Sequence, residues 1–183
     1  MAKVSSTNFQ CKNDRRVEIR SVEAQDAILF SEFQDRIASE TQNTLRYIGQ
    51  PPVDIEKTRI NWDETLANKN QAKIGVFFDN KLVGYLLCNK TFPDHPWMKH
   101  LAYFAMMIIQ DFWGQGLAQK LLQVLDEYAV SAGITKMEAT VRCENERAFK
   151  LYEKAGYNVE GTRKNAALIS GKYKDEFFIA KFY

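Results

Sequence analysis

Gln110-Asp-Phe-Trp-Gly-Gln-Gly-Leu-Ala118 is the stretch on which the fold of this chain turns. Ahead of it, Leu101 to Ile109 is almost unbroken apolar sequence, the pattern of a strand buried on both faces. Behind it, Leu117, Leu121, Leu122, Leu125, Tyr128, Ala129 and Ala132 recur at helical spacing until Gly133. A strand, a Gly-x-Gly turn and a helix in succession leave the first helical N–H groups without partners, with the positive end of the helix dipole behind them. That arrangement suits an anion such as a pyrophosphate. The glycines alone also fit a plain tight turn. The loop lacks the Gly-Lys-Ser/Thr ending of a nucleoside triphosphate loop and the Gly-x-Gly-x-x-Gly of a dinucleotide fingerprint, so a different phosphorylated cofactor is indicated.

Working outward, Val17-Glu-Ile-Arg20 alternates as a short strand does, and a helix is expected from the caps at Ser21 to Ala27 as far as about Ala38. Thr41 to Pro52, with its Pro-Pro pair, reads as an ordered loop, and Asp54 caps a second helix reaching about Asn68. Ala72 to Phe78 and Leu82 to Lys90 form a hairpin around Asp79-Asn80-Lys81. Beyond the central helix, Ile134 to Val141 alternates, placing Met137, Ala139 and Val141 on one face and Lys136, Glu138 and Thr140 on the other. A helix over Asn145 to Ala155 and two strands, Tyr157 to Lys164 and Glu176 to Tyr183, complete the chain. The expectation is one α/β domain over residues 15–183, with a mixed sheet of about seven strands and about four helices, preceded by a flexible tail over residues 1–14.

Composition narrows the function. With 25 basic and 23 acidic side chains the formal charge is only +2, and no basic stripe appears, so no nucleic-acid partner is expected. No membrane partner is expected either, because no stretch approaches the ~20 apolar residues of a span. Cys11, Cys88 and Cys143 are widely spaced and have no metal-ligand pattern, which points to reduced thiols, a cytoplasmic setting and no metal. His95 and His100 lack partners at ligand spacing. Edge strands near the C-terminus permit a homodimer.

Two motifs in order carry a family resemblance. Trp113-Gly-Gln-Gly-Leu-Ala118 is similar to the pattern Arg/Gln-x-x-Gly-x-Gly/Ala, with tryptophan in its first place, and Asn145-Glu-Arg-Ala-Phe-Lys-Leu-Tyr-Glu-Lys-Ala-Gly-Tyr157 matches Asn-x-x-Ala-x-x-Leu-Tyr-x-x-x-Gly-Phe/Tyr throughout. Together they resemble the GNAT superfamily of N-acetyltransferases, and the Trp-Gly-x-Gly form looks like the branch of ribosomal-protein N-terminal acetyltransferases. The resemblance implies acetyl-CoA as co-substrate. Its diphosphate would lie against the loop of Trp113, Gly114, Gln115, Gly116, Leu117 and Ala118, held by the main-chain amides from Gln115 to Ala118. Its pantetheine arm would lie along the backbone of Met106, Met107 and Ile108, in a cleft where the central strand parts from the Ile134–Val141 strand. Gln119, Lys120 and Arg147 are the polar residues able to replace the basic contact that Trp113 does not make.

The same resemblance makes Tyr152 the donor of a proton to the leaving thiolate. Spacing adds that Tyr152 lies seven residues, two helical turns, beyond Asn145, so both face one cleft. Core packing for Tyr152 and an N-cap for Asn145 are the structural alternatives. Glu138 is the candidate base for the attacking amine, and Cys143 has no histidine beside it to make it a nucleophile. Trp97, Tyr173 and Asp175 are candidate acceptor contacts. The expected activity is direct acetyl transfer in a ternary complex to a primary amine, either a protein N-terminus or a small amine. The alternative is a non-catalytic acyl-CoA sensor or assembly module.

Overall fold

A computed structural model describes residues 3–183. One sheet runs through the whole chain. Its strands are β1 (Thr7–Gln10), β2 (Arg16–Ser21), β3 (Gln71–Phe78), β4 (Lys81–Lys90), β5 (Leu101–Ile108), β6 (Lys136–Arg142), β7 (Asn158–Ile169) and β8 (Lys172–Phe182), in the spatial order β1-β2-β3-β4-β5-β6-β8-β7. Four helices cover it: α1 (Ala27–Glu40), α2 (Ile55–Ala67), α3 (Leu117–Ser131) and α4 (Glu146–Lys154). All pairings are antiparallel except β5 with β6, which are joined through α3. This is the expected mixed α/β fold with one strand more than the pattern suggested.

The extra strand corrects the expected tail. Thr7–Gln10 pairs with Arg16–Ile19, Cys11 is buried, and the Lys12 amide donates to the Gln115 carbonyl at 3.3 Å. Polar alternation hid it, because a short edge strand buries only one face and takes its pairing from residues elsewhere. The first two residues of the expected tail lie outside the described residues.

Local rules explain the helices. Asp54 caps α2 by accepting the Lys57 amide at 3.0 Å, and Asn145 caps α4 by accepting the Ala148 amide at 3.3 Å. α3 lays Leu117, Leu121, Leu122, Val124, Leu125, Tyr128 and Ala129 into the core, and each buried leucine there is worth about 1.5–3 kcal/mol. α1 and α2 take one face of the sheet, where Phe30 and Trp62 close on Tyr85 at centroid distances of 4.8 and 6.2 Å. α3 and α4 take the other, where Tyr152 meets Phe104 at 5.7 Å and Asp126 holds Lys181.

Candidate active site

The sheet opens at its centre. β5 and β6 pair only at Leu101↔Lys136, Ala102↔Met137 and Tyr103↔Glu138, whereas β5 runs on to Ile108 and β6 to Arg142. Past Tyr103 the strands part, and a gap opens toward the Gly-x-Gly loop.

The ladder decides which backbone groups face that gap. Antiparallel strands alternate hydrogen-bonded and non-hydrogen-bonded pairs. The Ile109 amide donates to Val83 and the Thr91 amide donates to Leu101, both at 3.1 Å, which commits the odd-numbered residues of β5 to β4. Met106 and Ile108 therefore turn their N–H and C=O groups into the gap, while the Phe104 amide still serves the last rung with β6. Met107 does not, since it sits opposite Tyr85 in a hydrogen-bonded pair, and its expected backbone role is corrected here. Ile108 is corrected in part: its carbonyl already accepts the Trp113 indole N–H at 2.6 Å, leaving its amide for a ligand.

At the end of the gap the loop is built for an anion. Gly114 and Gly116 have φ of 74° and 84°, which side-chain-bearing residues adopt at a cost, and nothing lies within 4 Å of where a Gly114 Cβ would stand. The first α-helical bond of α3 runs from the Lys120 amide to the Gly116 carbonyl, so the amides just before it point outward. Open space above the glycines and outward amides fit a diphosphate.

The two faces of the gap differ chemically. On the α3/α4 face, Tyr152 is buried against Phe104 and Tyr157. Burial, with the Tyr103 phenol nearby, pushes its hydroxyl pKa well above the usual tyrosine range and keeps it protonated. On the α1/α2 face, Glu138 shares its side with Tyr103, whose hydroxyl reaches Thr140 at 3.4 Å. Glu138 pairs with Lys136 at 2.8 Å at the last rung before the strands part, so it stands at the apex of the gap. The register thus sets the two candidates at one gap and on opposite faces. Asn145 starts α4, with its oxygen spent on the cap.

Other candidates fall elsewhere. Burial, then Asp175, raises the Cys143 thiol pKa, which disfavours a thiolate nucleophile. Trp97 is 82% exposed, but its loop joins the start of β5, where Thr91 bonds Leu101; that is the opposite end of the strand from the glycines. Asp175 is occupied by Lys164 and the Asn165 amide, while Tyr173 is exposed on the β7–β8 hairpin, beyond the last β6–β8 pair. A latch escaped the pattern of the sequence. Gln110 donates its backbone amide to Glu40 Oε2 at 2.6 Å and its side-chain amide to the Glu40 carbonyl at 2.7 Å, and Arg36 pairs with Asp111 at 2.7 Å. A Glu forty residues into the chain gives no local signal of a partner at 110.

The chain is similar to known proteins in sequence and in fold. The model of the Acetyltransferase (GNAT) family matches residues 35–157. The L-amino acid N-acetyltransferase AaaT of Escherichia coli K12 is 30% identical over 122 residues, covering 66% of this chain and 74% of that protein. A GNAT-family acetyltransferase from Streptococcus pneumoniae superposes with a TM-score of 0.83 at 26% identity, covering 91% of this chain and 99% of its own. The yncA protein of Salmonella typhimurium, solved with its cofactor acetyl-CoA, gives 0.77 at 16% identity, covering 91% and 93%, which is a likeness of fold.

Proposed function

The chain belongs to the GNAT acetyltransferase family, an acetyl-CoA-dependent group, and we propose on that footing that it transfers an acetyl group directly to a primary amine, of which an α-amine is the best fit. The observation that carries this reading is the parting of β5 from β6 beyond Tyr103↔Glu138, which runs from a carboxylate to a cradle of free amides.

Acetyl-CoA supplies a thioester, and the chain's own groups hold and polarise it. Loop amides from Gly114 to Ala118 bind the diphosphate, and the gap-facing groups of Met106, with the Ile108 amide, bind the arm as one strand edge binds another. A gap-facing amide of β5 also stabilises negative charge on the carbonyl oxygen during attack. The amine enters from the α1/α2 face and must be neutral to attack. An α-amine, with a pKa of about 7.7 to 8.0, needs less help than a lysine amine near 10.4. Glu138 takes its proton, directly or through water. As the C–S bond breaks, Tyr152 donates its phenolic proton to the thiolate from the other face. A relative acting on L-amino acids supports an α-amine acceptor, and a protein N-terminus presents the same group.

Incubation with acetyl-CoA and a panel of amino acids, N-terminal peptides and polyamines, with free thiol followed over time, tests this. Acceptor-dependent thiol release that is fastest with α-amines is the expected result. No release with any acceptor would sink the proposal.

A further inference from the structure

The loop carries Trp113 where the family pattern has a basic residue or glutamine, and the tertiary structure shows what the indole does instead. Its Nε1 donates to the Ile108 carbonyl at 2.6 Å, which pins the ring to the gap-facing edge of β5. Over that ring lies the guanidinium of Arg147, its central carbon 3.4 Å from the ring centroid. Arg147 stands in the first turn of α4, and its neighbours are engaged elsewhere: Glu146 pairs with Lys150 at 3.4 Å. Burial lowers the Arg147 pKa, and among the described residues no carboxylate pairs with it. A cation without a carboxylate partner is therefore held over the indole, beside a loop of outward amides.

We propose that Arg147, laid across Trp113, is the cation of the phosphate cradle, supplying from α4 the charge that the loop itself lacks and contacting the diphosphate of acetyl-CoA. This rests on the functional reading given above. Stacking leaves the in-plane N–H edge of a guanidinium free, and that edge matches phosphate oxygens two at a time. Since the indole is tied to Ile108, the position of the cation is set relative to the same strand that holds the arm. Diphosphate and thioester thus share one reference. Lysine at 147 would keep the charge but lose the planar stack and the paired donors.

Titration calorimetry of the full chain with CoA, 3′-dephospho-CoA and pantetheine tests the assignment. Arg147→Ala should weaken CoA and dephospho-CoA alike by about tenfold or more, the size of one charge-assisted contact, and leave pantetheine unchanged. Arg147→Lys should recover part of the loss. Trp113→Ala should weaken the same two ligands, with the double variant falling short of the product of the single losses. Undiminished CoA binding by Arg147→Ala overturns the assignment, as does an equal loss for pantetheine. A loss confined to CoA moves the contact to the 3′-phosphate and overturns it as stated. Melting temperatures check that the variants fold. Wild-type protein that binds no CoA sinks the functional reading as well, whereas wild-type binding with an indifferent Arg147→Ala sinks only this proposal.

Discussion

The carboxylate of Glu40, on the last residue of α1, accepts the backbone amide of Gln110 at 2.6 Å, although 70 residues separate them. Its other oxygen holds Arg36, which in turn reaches Asp111. The helix that leads into the 41–54 loop is thereby tied to the turn that leads into the glycine loop. The Arg36 contact also holds the Asp111 carboxyl below its usual pKa.

Glu40→Ala frees the Gln110 amide and should cost about 1–2 kcal/mol of stability. Because the turn at 110–112 sets the approach to the cradle, the KM for acetyl-CoA should rise more than kcat falls. Urea unfolding and steady-state kinetics measure the two effects. Unchanged stability and kinetics would mean that the latch is idle.

Tyr152→Phe removes only the hydroxyl, and the ring contacts with Phe104 and Tyr157 remain. Transfer should slow by about 10²-fold, the lower end for a lost proton donor, at unchanged CoA affinity. Thiol release and calorimetry on the same preparation separate chemistry from binding.

Gly116→Ala forces a side chain into φ near 84°, with its new Cβ 3.5 Å from the Phe9 ring. The strain should cost about 1–2 kcal/mol. Any relief of that strain turns the loop amides aside, so CoA affinity should drop along with the melting temperature. A variant that melts and binds like wild type would show that the left-handed turn is dispensable.

Lys73 gives a pH test of stability. Its amine is half-buried under α2, donates to the Thr65 hydroxyl at 2.7 Å and to the Asn61 side-chain oxygen, and faces Glu64 as the nearby charge. Burial lowers its pKa from 10.5 to about 8. Between those values the unfolded chain holds the proton and the folded chain does not, so this group makes stability rise with pH across that window. Below about 8 both states are protonated and the slope vanishes. Relative to Lys73→Met, wild type should therefore gain stability between about pH 7.5 and about pH 9.5 in chemical denaturation. A constant difference would show that the amine titrates normally.

Much of this arrangement is written locally. The nine residues from Gln110 to Ala118 define a strand, a turn and a helix, and the Asn145–Tyr157 motif sets its cap and tyrosine two turns apart on one face. Hydrophobic period and capping act over a few residues, so pattern alone locates α2, α3, α4 and the hairpin to within a residue or two. β1 escaped because its apolar content is slight and its partner is β2.

What remained lay in the register and in long-range partners. Spacing made Met106 and Met107 equivalent, yet only the pairing of β4 with β5 turns one toward the gap and the other away, since a strand alternates its hydrogen-bonding direction at every residue. That a strand ends in a glycine turn at the head of a helix is written in adjacent residues, because torsional freedom and apolar spacing are local properties. That Trp113 takes the Ile108 carbonyl and bears Arg147, and that Tyr152 and Glu138 stand on opposite faces of the sheet beside the gap, came from the packing of distant segments. Those outcomes depend on where whole strands and helices come to rest against one another.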